Sequence, residues 1–154
     1  MSRVTKAHSA AHPFRPAHPT PDDVARRLSF IKSRFAPAPG EPWVAAVSRS
    51  HGDVRTEAFV DSWPGAIREK LGSAVKFGWI AEGKADIYPR LAPTSEWDVG
   101  AGYALVTAAG GKVTDEAGGP LRFGEQSEGF IVPAFIACGD PSVVVRMRTS
   151  DSGH

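Results

Sequence analysis

The sequence predicts an α/β protein, a layered sheet with helices on both faces. Two observations point there. From Trp43 onward, short runs rich in Val, Ile and Ala alternate with stretches of helical spacing, and Gly or Pro marks most of the junctions. At 154 residues with 42% apolar side chains, the chain can build one ordinary core and is too short for two full domains.

Taken in order, Met1 to Asp22 is a Pro-, Ala-, His- and Arg-rich stretch. Pro13, Pro16, Pro19 and Pro21 exclude a regular helix or strand, so residues 1–22 read as a disordered tail. His8, His12 and His18 lie in it, but a tail without fixed geometry does not hold a metal. Val24, Leu28 and Ile31 fall on one helical face, which predicts a short amphipathic helix within Pro21 to Phe35, so residues 23–36 read as helix and linker. The α/β domain is expected over 37–141, with 142–154 a second tail.

Within that domain, a strand over Trp43 to Val47 runs into Ser48-Arg49-Ser50-His51, and Asp53 to Ser62 reads as a helix broken by Pro64-Gly65. A short strand at Ala66 to Leu71 turns at Gly72-Ser73 into a helix over Ala74 to Glu82 that Gly83 ends. Ala85 to Arg90 is the next strand. Ser95 with Asp98 three residues on has capping-box spacing, opening a helix over Trp97 to Ala109 that stops at Gly110-Gly111. Lys112 to Asp115 is a strand, Glu116 to Pro120 a turn, and Phe130 to Cys138 holds a last strand, at the edge or in the centre of the sheet. No internal repeat is visible.

Eighteen Lys and Arg against 17 Asp and Glu leave almost no net charge, which argues against a broad nucleic-acid or membrane footprint and leaves room for one local phosphate site. The single cysteine, Cys138, excludes an internal disulfide, suits a reducing cytoplasm and reads as a small buried hydrophobe in a strand. No apolar run approaches the roughly 18 residues of a membrane span, and the amino terminus has no hydrophobic signal core. The expected location is the cytoplasm.

Open α/β sheets bind phosphates where strands lead into helices, because the free amides of the first helical turn and the helix dipole both favour an anion. Three junctions here carry suitable side chains: Ser48 and His51, Ser73 and Lys76, Thr94 and Asp98. From the residues alone Ser48 and Ser73 read first as helix caps, and His51 as a surface or capping histidine. Lys76 falls in the first turn of its helix, an unfavourable place for a cation unless an anion is bound. Arg90 ends a strand. Arg49 and Glu82 read as structural or solvated.

Ser95-Glu96-Trp97-Asp98, followed by the small-residue helix from Gly100 to Ala109 and by Gly110-Gly111, resembles the second signature of the lithium-sensitive, magnesium-dependent phosphatases of the inositol monophosphatase superfamily. With Ser48-Arg49-Ser50-His51, Gly72-Ser73-Ala74-Val75-Lys76-Phe77, Ala81-Glu82-Gly83 and Tyr88-Pro89-Arg90 in this order, the stretch from Ile31 to Gly139 resembles the carboxy-terminal half of the CysQ-type 3'(2'),5'-bisphosphate nucleotidases. The resemblance implies the carboxy-terminal domain of the sugar phosphatase fold, substrate contacts from Ser48, His51, Ser73, Lys76, Arg90 and Asp98, and a magnesium ligand in Asp98. It implies a reaction in which 3'-phosphoadenosine 5'-phosphate gives AMP and phosphate.

One thing the resemblance implies is missing. The family's metal-binding Glu and its Asp-Pro-x-Asp-Gly-Thr loop have no counterpart, since the one Asp-Pro is Asp140-Pro141, followed by Ser142. The 154 residues therefore read as half an enzyme with an incomplete magnesium site and no complete catalytic set. Three readings follow: a nucleotidase needing a separate amino-terminal half or a second copy, a non-catalytic nucleotide-binding module, or a decayed remnant. An inositol monophosphatase-like fragment is the alternative within the enzyme class. In the family this domain packs on another, so an exposed apolar face and self-association are expected.

Overall fold

The computed structural model of the chain describes residues 31–50, 52–124 and 129–144. Five strands form one mixed sheet: β1 (Val44–Ser48), β2 (Ile67–Leu71), β3 (Ile87–Arg90), β5 (Lys112–Thr114) and β7 (Phe135–Cys138). Their spatial order is β2-β1-β3-β7-β5. β1 runs parallel to both β2 and β3, with Val44 opposite Ile67 and Ala45 opposite Ile87. β7 inserts antiparallel between β3 and β5, pairing Ile87 and Lys112 with Cys138. Two residues each of β4 (Thr94–Ser95) and β6 (Ile131–Val132) make a separate small antiparallel pair.

Helices α1 (Val54–Asp61), α2 (Ser73–Ala81) and α3 (Glu96–Ala108) cover the two faces. Because side chains alternate along a strand, β3 sends Ile87 to one face and Tyr88 to the other. Tyr88, Ala46 and Phe135 pack with Phe77 and Ile80 of α2 and Val99 and Val106 of α3. Ile87, Val47, Ile136 and Cys138 pack with Val60 of α1 and with Val143 and Val144 beyond β7. The expected three-layer α/β fold is present, and Cys138 is the buried strand residue foreseen.

Local chemistry accounts for the helix ends. Asp53 caps α1 by accepting from the Thr56 backbone N at 2.8 Å. Gly83 (φ 70°) and Gly110 (φ 92°) take the left-handed conformation just past α2 and α3, where a side chain would be strained. There the backbone N–H groups of Lys84 and Gly111 reach back to the carbonyls of Trp79 and Val106.

The structure departs from the sequence reading at three places. Residues 31–38 form no helix, and the earlier part of the expected amphipathic helix, with the expected tails at 1–22 and beyond 144, lies outside the described residues. Instead Ser33 N donates to Ala109 O at 3.0 Å, and Arg34 forms a two-pronged ion pair with the buried Asp86 at 2.5 and 2.7 Å. The last strand is not continuous: Pro133, which lacks a donor, interrupts the ladder, and Phe130, at φ 49°, turns the chain into β6. Ser95 holds the cap position of α3 without any side-chain cap bond, so the capping box does not form.

Candidate functional site

Ser48, Leu71 and Arg90 end the three parallel strands, and a cleft of about 370 Å³ opens just beyond them. Ser48 and Arg90 emerge on the α2/α3 side of the sheet because they stand two residues after Ala46 and Tyr88, which face that layer. Ser73, Lys76 and Asp98 line the same cleft, together with Arg49 and Thr94. The amino-terminal ends of two helices, α2 at Ser73 and α3 near Asp98, therefore meet it. Of the six substrate positions the resemblance implies, the fold gathers five, Ser48, Ser73, Lys76, Arg90 and Asp98, with Thr94 of the third junction beside them; His51 lies outside the described residues.

Lys76 is the central feature. It is 2% exposed, the most voluminous of the fully buried side chains, and no carboxylate pairs with it among the described residues. Its ammonium has one long hydrogen bond, to Leu71 O at 3.4 Å, and sits 5.1 Å from the centre of the Tyr88 ring. Burial lowers the Lys76 pKa from its ordinary value, and the nearby Arg90 charge lowers it further. Burial likewise pushes Tyr88 up to about 12, against the opposing pull of Arg90. Arg90 donates from Nη2 to Pro93 O at 3.2 Å, while its buried Nε has no hydrogen-bond partner. A buried donor left unmade is costly, so the cleft holds unmet demand for an acceptor.

The two serines no longer read as caps. Asp53 caps the helix after Ser48, and α2 is capped by Gly72 with Ser73 as its first helical residue and no side-chain cap bond. Neither serine hydroxyl has a protein partner among the described residues. Arg49 reads from sequence as structural or solvated, yet it lines the cleft; Glu82 is a solvated residue paired with Lys84. Tyr88 was not singled out, although its place two residues before Arg90 on one strand face was the signal available.

The metal demands separate treatment. Among the described residues no three His, Cys, Asp or Glu gather, and Asp98 is an exposed lone carboxylate whose neighbour is the Thr94 hydroxyl at 3.5 Å. A hard divalent cation needs about six oxygen ligands, usually with more than one carboxylate for a firm site. These residues do not fit a firmly held ion. No described helix is long and apolar enough to cross a membrane.

Residues 32–140 match the model of the inositol monophosphatase family. The chain is 34% identical over 105 residues to the 3'(2'),5'-bisphosphate nucleotidase CysQ of Escherichia coli K12, covering 68% of this chain and 42% of that protein. To the nucleotidase of the same name from Buchnera aphidicola it is 39% identical over 107 residues, covering 69% of this chain and 40% of the relative. The crystal structure of CysQ from Bacteroides thetaiotaomicron, a bacterial member of the inositol monophosphatase family, superposes with a TM-score of 0.58 at 38% identity, over 67% of this chain and 39% of the other. The chain thus spans about two-fifths of the length of these three relatives.

Proposed function

The chain belongs to the inositol monophosphatase family, and from that premise we propose that its cleft binds a 3'(2'),5'-bisphosphate nucleotide, 3'-phosphoadenosine 5'-phosphate, or the product AMP, and that these 154 residues do not hydrolyse it unaided. The observation that carries this reading is Lys76: a buried ammonium without a counter-ion, beside an Arg90 Nε without an acceptor, at the head of α2. An anion placed there satisfies both cations and meets the helix dipole. Ser48 and Ser73 supply hydroxyl donors to the same anion, and His51 joins them by resemblance.

Hydrolysis in this family is magnesium-assisted, and the residues present supply one carboxylate toward that, Asp98. The others would have to come from outside these residues, as a partner of the kind an amino-terminal half or another copy would make. Support for such a partner lies beside the cleft. A groove of about 300 Å³ between α2 and α3 shares Ser73 and Asp98 with it and is otherwise apolar, walled by Phe77, Trp97 and Leu105. Trp97 is 70% exposed and Val75, on the same helix as Ser73, 50%. Apolar surface of this kind next to a polar site fits a protein contact.

Calorimetric titration with 3'-phosphoadenosine 5'-phosphate and with AMP, with and without magnesium, alongside an assay of released phosphate, tests both parts. Metal-independent binding without turnover is the expected result. Turnover above background overturns the claim that these residues are catalytically insufficient, and the absence of binding overturns the nucleotide pocket itself.

A further inference from the structure

At the opposite end of β1 from the cleft, Trp43 and Trp63 meet edge to face with ring centres 4.3 Å apart. Together with Glu41, Pro42 and Pro64 they line a surface groove of about 470 Å³. Both rings are half-buried, and neither indole N–H has a hydrogen-bond partner among the described residues. Nothing in the proposed nucleotide chemistry uses this end of the molecule. A shallow, aromatic-walled groove with spare donors is the surface that receives a polyproline II ridge, whose rings pack between aromatics while its free carbonyls accept.

The sequence carries the spacing such a ridge needs. Pro13, Pro16 and Pro19 repeat every third residue, and a polyproline II helix has three residues per turn, so in that conformation the three rings would align on one edge. We propose that the Trp43/Trp63 groove is the docking site for the Pro13/Pro16/Pro19 ridge of the same chain. The tether geometry favours this occupant. One carboxylate, Asp86, accepts from both the Arg34 guanidinium and the Val44 backbone N, so the chain is anchored at residue 34 beside the strand that leads out of the groove. Residues 20–33 span roughly 45 Å when extended, ample for so short a return. Tethering also gives the ridge a high effective concentration, on the order of millimolar. Charge agrees in sign: residues 1–21 include Arg3, Lys6 and Arg15 and no carboxylate, whereas Glu41 lines the groove.

The test compares the full chain with a Pro13→Ser/Pro16→Ser/Pro19→Ser variant by the four indole N–H signals in a nitrogen-15 NMR spectrum. The described residues build the core without these three prolines, so the comparison survives the substitutions. The signals of Trp43 and Trp63 are expected to move in the variant while those of Trp79 and Trp97 stay, and a synthetic peptide of residues 11–21 is expected to return the first two toward their original positions. Identical spectra for the two proteins overturn the proposal. Signals that differ between the two but drift with protein concentration overturn the intramolecular arrangement and assign the groove to another copy's ridge.

Discussion

The Phe77 ring occupies the space that any side chain at position 102 would need. A Cβ built on Gly102 stands 2.2 Å from Phe77 Cδ2, and the ring cannot retreat because Tyr88 and Phe135 lie 5.0 and 5.3 Å from it on the sheet side. This close approach lets α3 pack on α2, and so brings the heads of both helices to one cleft.

Gly102→Ala is therefore expected to destabilise the protein by about 1–3 kcal/mol, the usual range for overpacking a tight core. Urea unfolding would show a lower midpoint at unchanged slope. Stability equal to wild type would mean that α2 and α3 are not in the contact described.

Arg34→Ala removes the partner of the buried Asp86 and is expected to cost about 2–3 kcal/mol, less than for a fully enclosed pair because the Arg34 side chain is 40% exposed. Arg34→Lys should recover only part of this, since an ammonium cannot match both carboxylate oxygens. Thermal unfolding of the three proteins distinguishes the cases; full recovery by Lys would reduce the contact to simple charge pairing.

The buried Lys76 links binding and stability to pH in opposite directions. Its pKa is lowered on folding, so between that value and the ordinary lysine value the unfolded chain holds more protons, and the stability of the unliganded protein rises with pH across the window. Binding of AMP needs the ammonium and is expected to weaken over the same window. Lys76→Met should abolish both trends, leave the unliganded protein at least as stable, and weaken AMP binding by about 10–100-fold, the equivalent of a charged hydrogen bond. A variant that binds AMP as tightly as wild type would remove Lys76 from the site.

Ser73→Ala separates the cap reading from the ligand reading. Loss of a true N-cap costs about 1 kcal/mol, but Ser73 makes no cap bond, so stability is expected to change by less than about 0.5 kcal/mol while AMP affinity falls. Calorimetry paired with a melting curve reads both; a destabilised protein with intact affinity would restore the cap.

Much of the fold is written locally. The runs at Val44–Ser48 and Ile87–Arg90, the helical spacing after Asp53 and Gly72, and the stops at Gly83 and Gly110 depend on neighbours a few residues away, so each element is readable within a residue or two of its observed bounds. The motif that points to the family is equally local, since Trp97-Asp98 and Gly72-Ser73 each sit within one strand-to-helix turn. Sequence alone thus determined the class of fold, the family, and the residues worth watching.

Tertiary structure decided what those residues are free to do. A Ser before a helix is the same letter whether it caps or waits for a ligand, and only the presence of Asp53 and Gly72 in the cap positions released Ser48 and Ser73. Lys76 could have been solvated; packing against Tyr88 buried it without a counter-ion. The insertion of β7 between β3 and β5, and the Arg34–Asp86 pair formed across 52 residues, leave no periodic trace in the chain. Such contacts are set by the free energy of closing long loops around a shared core, which no short window of sequence contains.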